Sequence, residues 1–398
     1  MMCFGSGKRW LSRFTKEGRI MDKINTSQTY RIRILSPVHI GSGRKYLKGI
    51  DFIDDRRKRR TGIVYHPEIH NLIANDKQAI NRLSEIDGRD YKIDDFLREF
   101  RIESRLKSIR YYPFTVYSRE ILEIQRNGLG VPQIPGSSIK GSIRSALFHT
   151  LFLSLEKQEQ KRLLETIHQR TRDKFAASDI EKEIFGKEPN TDFLKAVIVT
   201  DADFNSGDID LGIAQVLSAT RDSGWRWKPN KFNDFPMSLS FEYLKGNSSS
   251  ETTIRLNQYF INDTIARDYL KFNQKLPQDM IALNSVINNC SRDLVQKELE
   301  FLYRYDPNHD LRSIAGFYEN LARQFPDDNQ GCVLRIGWGS GWTSMTGNIL
   351  DDFGDYLYNF REWFGMGRRD FDFPKSRKLI MRGRNPVAVP GWIRLEII

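Results

Sequence analysis

The chain has 398 residues, a net charge of +11, and 39% hydrophobic and 28% charged residues. At the usual ~150 residues per domain this length allows two domains or more, and the basic balance points to nucleic acid, an anionic surface or an acidic partner. Apolar runs well short of the ~20 residues of a membrane span, no apolar leader core and three widely spaced cysteines (Cys3, Cys290, Cys332) argue against a membrane protein, secretion, a disulfide framework and a Cys-x-x-Cys zinc site; the expected home is a reduced cytoplasm.

Residues 1–27 read as a basic arm, expected to be disordered, with Met21 as a second plausible start. Tyr30, Ile32 and Ile34 alternate with Arg31 and Arg33, the period of a half-buried strand. The turn Gly41-Ser42-Gly43 follows, then two short strands over Leu47 to Ile53 and Gly62 to Tyr65. Between these lies the charge run Arg56 to Arg60, read as a solvated loop that can also touch a nucleic-acid backbone. Pro67 opens a helix to about Leu83, and a second helix covers about Ile93 to Leu106. His66 and His70 are four apart, but Pro67 separates them and no acidic or cysteine partner is evident, so they are not read as a metal site.

The segment IPGSSIKGSIRSALF, Ile134 to Phe148, runs from a Pro-Gly turn into a helix. Ile139, Ile143, Ala146 and Leu147 share one face, and Ser137, Lys140, Gly141 and Arg144 share another. Backbone amides at a helix start attract anions, and hydroxyls and cations beside them strengthen that attraction. Gly141 inside the helix costs about 1 kcal/mol against alanine, which suggests that another backbone comes close there. The pattern describes a phosphate-backbone contact. It is not a nucleotide-binding P-loop, because Lys140 precedes Gly141 and the motif needs the reverse order.

A charged helical stretch spans Glu156 to about Lys174. A buried strand, Ala196 to Thr200, ends at Asp201-Ala202-Asp203, two carboxylates read as capping or ion-pairing groups. A β-rich region covers about Ile209 to Leu256 and a helical block about Gln278 to Gln324. The strand Cys332 to Ile336 runs into Gly337-Trp338-Gly339-Ser340-Gly341-Trp342, and Ile393 to Ile397 forms a last strand. Read as extended chain, the late segment puts three glycines on one side and Trp338, Ser340 and Trp342 on the other. Glycines admit a ligand backbone, tryptophans stack on bases, and Arg335 supplies charge. The fold class expected is α+β, with two ferredoxin-like (RRM-like) domains carrying helical insertions, one over 28–220 and one over 221–398.

Three elements in order, SPVHIGSG at Ser36 to Gly43, IPGSSIKGSIR at Ile134 to Arg144 and LRIGWGSGW at Leu334 to Trp342, resemble the RAMP superfamily of CRISPR-associated RNA-binding proteins. Asp201-Ala202 after an apolar strand fits the same resemblance. Pro374-Lys375-Ser376-Arg377-Lys378 and Pro390-Gly391-Trp392 resemble the subunit that caps the 3′ end of guide RNA (crRNA) in type III-A (Csm) effector complexes. The resemblance implies RAMP domains, crRNA binding, packing against a neighbouring backbone subunit and other Csm subunits, no cofactor and no metal. It also implies contact with target RNA and docking of host trimming nucleases as open possibilities. Carried onto this chain, the RNA-binding residues are His39, Gly41, Ser42, Gly43, Ser137, Ser138, Lys140 and Arg144, with Arg335, Gly337, Trp338, Gly339, Gly341 and Trp342 at the late loop.

Some superfamily members cleave RNA. His39 is the histidine placed for general acid–base work, and Asp51 lies where the backbone subunit carries its cleaving aspartate, but the residues after it read as a strand. The reading adopted is a noncatalytic RNA-binding subunit that supports crRNA maturation and antiviral defence. The alternatives are a metal-independent CRISPR RNA-processing endoribonuclease and a RAMP subunit of a type III-B complex.

Overall fold

The computed structural model describes residues 25–55, 57–107, 109–113, 118–169, 176–230, 235–265, 268, 280–366 and 372–398. Most of the expected basic arm, Arg56, and the end of the charged stretch beyond residue 169 lie outside these residues. The first strand, Asn25–Ile34, takes in the last three residues assigned to the arm.

The alternation in the first strand fixes its place. Tyr30, Ile32 and Ile34 are fully buried while Arg31 and Arg33 are exposed, so one face meets the core and the other meets water. This strand is the centre of a five-stranded antiparallel sheet in the order 331–335, 392–397, 25–34, 249–257, 197–199. A seven-stranded sheet runs in the order 385–388, 376–382, 209–219, 238–244, 120–124, 41–47, with 225–227 added to 209–219. Its pairings are antiparallel except that of Ser240 and Phe241 with Ile121 and Leu122. Both sheets draw strands from either side of residue 220. The class is α+β, and the antiparallel sheets with helices packed on them fit ferredoxin-like units.

Two helices cover the five-stranded sheet. Gly136–Leu153 lays Ile139, Ile143, Leu147 and Phe148 into the main core. Met280–Tyr305 lies beside the edge strand Gly331–Arg335 and completes its hydrogen bonding: Asn288 donates to the Gly331 carbonyl (3.1 Å) and accepts from the Val333 amide (3.0 Å), and Ser291 donates to the Val333 carbonyl (2.6 Å). An exposed sheet edge invites pairing with other chains, and side chains close it here.

Residues 48–113 are inserted between two strands of the seven-stranded sheet. Their three-stranded sheet, 52–55, 60–63 and 110–112, joins the main core through Phe52, Ile63 and Tyr112, and their helices form a separate cluster around Ile69, Phe96 and Leu97. The helix expected from Pro67 to Leu83 is two helices, His66–Ile73 and Lys77–Leu83, because Asp76 caps the second by accepting from the amides of Gln78 and Ala79. The helix expected to Leu106 ends at Glu99 and resumes as a single 3₁₀ turn at Glu103–Arg105. Glu242, fully buried in the seven-stranded sheet, ties the insertion down. It accepts from Arg126 (2.8 and 3.0 Å), Tyr112 (3.0 Å) and Arg110 (3.4 Å). Among the described residues no helix is long and apolar enough to cross a membrane.

Candidate nucleic-acid interface

The helix at Gly136 starts where the sequence indicates. Its first amide donates to Asp201 Oδ1 at 2.7 Å, so Asp201 caps the helix from the neighbouring strand end. Asp203 accepts from the side-chain amides of Asn127 (Nδ2, 3.2 Å) and Gln133 (Nε2, 3.0 Å). The close backbone approach expected at Gly141 occurs at Gly136 instead, where a Cβ would sit 2.1 Å from the Val199 carbonyl oxygen. Gly141 is exposed and faces open space. Ser137 is exposed, and Ser138 and Lys140 are partly so. Among the described residues Lys140 has no ion pair. Burial lowers its pKa, with Asp192 acting in the opposite direction and Arg144 adding to the fall. Arg144 is already engaged: it donates to Asp192 (2.7 Å) and Glu181 (3.3 Å) and stacks on the Phe185 ring at 3.9 Å.

His39 is 2% exposed. Its Nδ1 pairs with the Glu242 carbonyl at 2.7 Å, its ring meets Phe241 and Trp338 edge-on, and burial lowers its pKa. That location buries the imidazole between the seven-stranded sheet and the glycine-rich loop, where its contacts are with its own chain. The His39 carbonyl accepts the Trp338 amide at 2.8 Å. Gly337 is left-handed (φ 75°), and a Cβ there would lie 2.6 Å from that same carbonyl oxygen. Gly339 (φ 88°) passes equally close to Pro390. The late segment is therefore a chain of left-handed turns rather than extended backbone, and the expected division into a glycine side and a tryptophan side does not hold. Trp338 packs on Phe241 over the outer face of the seven-stranded sheet. Trp342 packs on Phe360 and Phe373. Gly341 is exposed with open space beside it.

Arg335 is buried, not surface-facing. Its guanidinium donates to the Pro390 carbonyl at 3.1 Å and lies 3.9 Å from Glu298. Glu298 accepts from Arg377 (2.7 Å) and Thr343 (3.1 Å). Burial alone would raise the Glu298 pKa, but Arg377 and Arg335 and these hydrogen bonds bring it below the ordinary value. Arg335 thus holds up the glycine-rich loop from beneath.

Gly41, Ser42 and Gly43 are the first residues of the edge strand Gly41–Leu47 rather than a free turn. Ser42 donates to Glu123 at 2.8 Å, and Gly43 is exposed to open space.

The structure brings the three sequence elements together. Ser142 of the helix donates to the Arg335 carbonyl at 2.9 Å, and His39, just before the edge strand, holds Trp338. Sequence reasoning missed Lys378 as a site residue. It shares the outer sheet face with Ala214 and Ile380, and its ammonium lies 5.1 Å over the Trp338 ring, within cation–π range. Burial lowers its pKa, and Arg335 adds to that. The available signal was its alternation with Leu379 along a strand.

The profile of the RAMP superfamily matches residues 31–344. The chain belongs to the RAMP superfamily. A curated relative, the CRISPR system Cms protein Csm5 of Methanocaldococcus jannaschii, is 21% identical over 92% of this chain and 88% of its own length. The protein of the same name from Streptococcus thermophilus is 29% identical over 32% of this chain and 40% of its own. A chain in a cryo-EM structure of a type III-A Csm–crRNA–target RNA ternary complex shares the fold with a TM-score of 0.65 at 21% identity, over 93% of this chain and all of that one. The crystal structure of T. onnurineus Csm5 gives 0.61 at 20% identity, over 91% and 99%. The Gly136 helix is hydrogen-bonded to the strand end that leads into the glycine-rich loop.

Proposed function

We propose that this RAMP protein is an RNA-binding subunit of a type III-A CRISPR effector complex that holds the 3′ part of the crRNA, and that this interface performs no chemistry. The observation that carries the reading is the convergence of the Gly136 helix and the glycine-rich loop on one support, with Lys140 unpaired among the described residues and Gly141 facing open space. The Gly136 amide is already taken by Asp201, so the hydroxyls of Ser137 and Ser138 and the charge of Lys140 carry the attraction for a phosphate. Trp338 with Lys378 offers a ring and a cation at the loop. Phosphate contacts of this kind hold any sequence, as a subunit serving many guides requires. Likeness to the Csm5 proteins and to a chain of a Csm–crRNA–target RNA complex supports crRNA, target RNA and other Csm subunits as partners.

Crosslinking the protein to RNA in its native cell and sequencing the attached fragments tests this reading. Reads are expected at the 3′ ends of CRISPR spacers, with Csm subunits co-purifying. Reads centred on repeat sequence with a defined cut would replace the capping role by guide processing, and co-purification of type III-B subunits would move the protein to that complex.

A further inference from the structure

A cleft of about 730 Å³ opens beside the helix Met280–Tyr305, and none of the residues assigned to RNA contact lines it. Small-molecule sites have this size, ~300–1,000 Å³. Phe301 and Arg304, three apart, share a face of the long helix, and Tyr358 and Arg361 share a face of the helix Gly354–Trp363. Arg221 joins them from the turn between the strands Ile209–Ala219 and Trp225–Trp227. Lys297 and Arg377 complete the cations, against the carboxylates of Glu300, Asp351 and Asp372.

These charges are not evenly matched. Lys297 lies 3.8 Å from Asp351, and Arg377 donates to the buried Glu298 at 2.7 Å. Asp372 answers two guanidiniums: hydrogen bonds from Tyr305 and Arg304 (2.6 Å), joined by the charge of Arg361, hold its carboxyl below the ordinary value against the opposing effect of burial. Arg361 is a fixed wall, 7% exposed, donating to the Met366 carbonyl at 3.3 Å and lying 5.3 Å over the Phe373 ring. Arg304 is different. Its side chain keeps 63% of its surface and that of Asp372 keeps 49%. An ion pair this exposed is weak, and its guanidinium remains open to a bidentate acceptor such as phosphate. Arg221 is exposed as well, and the Tyr358 ring keeps 45% of its surface. Guanidiniums for a phosphate and an open ring for a base stand in one cleft.

We propose that this cleft binds a free nucleoside monophosphate, with Arg304 and Arg221 on the phosphate and the Tyr358 ring against the base. A ring stacks on any base, because every base has a π-face, so all four nucleotides are ligands and the larger purines bind more tightly. The proposal goes beyond the RNA-binding reading and does not need it, since the two sites share no residue. The end of an RNA chain carries the same chemistry as a free nucleotide, so the test sets one against the other.

The test is isothermal titration calorimetry on the purified full chain with AMP, GMP, CMP, UMP, inorganic phosphate and ribose, repeated in the presence of saturating single-stranded RNA. Each nucleotide is expected to bind at one site, about tenfold or more tighter than inorganic phosphate, the contribution of one stacked base. Arg304→Gln and Arg221→Gln, which remove charge from exposed positions, should each weaken AMP about tenfold, and Tyr358→Ala should bring AMP close to phosphate. Melting temperature and RNA affinity of the three variants should match the parent, which separates loss of the ligand from loss of folding. No binding up to millimolar nucleotide, phosphate binding as tightly as AMP, or variants that bind AMP like the parent overturns the proposal. Displacement of AMP by RNA overturns it too, by assigning the cleft to an RNA end. RNA binding measured alongside stands or falls separately, so failure of the cleft leaves the RNA-binding reading in place.

Discussion

At the scale of single residues, the interface separates charges by what already surrounds them. Arg335 and Arg144 have the residue type expected of phosphate ligands, yet both face carboxylates of their own chain. Lys140 has none within ion-pair distance among the described residues. Lys140→Ala should therefore weaken binding of every RNA tested and reduce the slope of log K against log salt by about 0.7, the share of one phosphate on a single strand. Fluorescence anisotropy across a salt series reads this, and an unchanged slope would remove Lys140 from the contact. Asp351 makes a second prediction, for stability. Burial pushes its carboxyl up to about 6, only partly offset by Lys297 at 3.8 Å. Its folded pKa thus lies above the unfolded value of ~3.9. The stability it contributes is present below that value and lost as pH rises through about 6. Asp351→Asn should stabilise the protein at pH 7 by up to about 2–3 kcal/mol and lose this effect near pH ~3, below both pKa values, as urea denaturation at the two pH values would record.

At the scale of elements, the Gly136 helix contains two glycines with opposite meanings. Gly136 meets the Val199 carbonyl, so Gly136→Ala forces the helix off its strand and should cost on the order of 1–3 kcal/mol. Gly141 faces open space in a helix interior, so Gly141→Ala should raise stability by about 1 kcal/mol. The same methyl group should weaken RNA binding, because the backbone at that point is where RNA is proposed to run. Chemical denaturation paired with a binding titration separates the two effects. Equal loss of stability in both variants would contradict this account. The edge strand Gly331–Arg335 gives a further case. Asn288→Ala leaves the Val333 amide and the Gly331 carbonyl without this partner in a buried setting, and should cost about 2–6 kcal/mol at ~1–3 kcal/mol per buried group, measured by urea denaturation.

At the scale of the whole molecule, the fold class was legible because its signals are local. The alternation around Tyr30 and the helical spacing from Ile139 to Leu147 each fit in one short window, and within the glycine motifs Gly136, Gly337 and Gly339 mark positions where only glycine fits. Strand order was not legible, since nothing near Ile393 says that it pairs with Ile34. The site was legible in its elements but not in its division of labour. His39 and Arg335 carry the chemistry of ligands and serve as supports, a distinction that depends on burial by distant residues such as Phe241 and Glu298. The strand over 376–382, with Lys378, was missed because its neighbours in sequence alternate weakly. The same long-range order yields a prediction. The strand Trp392–Ile397 lies between 25–34 and 331–335, and Trp392, Ile393 and Leu395 are fully buried. A chain ending at Gly391 should lack a cooperative thermal transition, and a sharp transition near that of the full chain would refute this.

That placement also has a consequence for how the protein is made. The first strand leaves the ribosome early, but one of its two neighbours, Trp392–Ile397, is made far later in the chain. At ~5–20 residues per second, Asn25–Ile34 waits on the order of tens of seconds for it. Until then its inner edge is a template open to any passing strand. Closure of the sheet therefore waits for the strand Trp392–Ile397 to leave the ribosome, so a nascent chain stalled before that strand cannot complete this sheet.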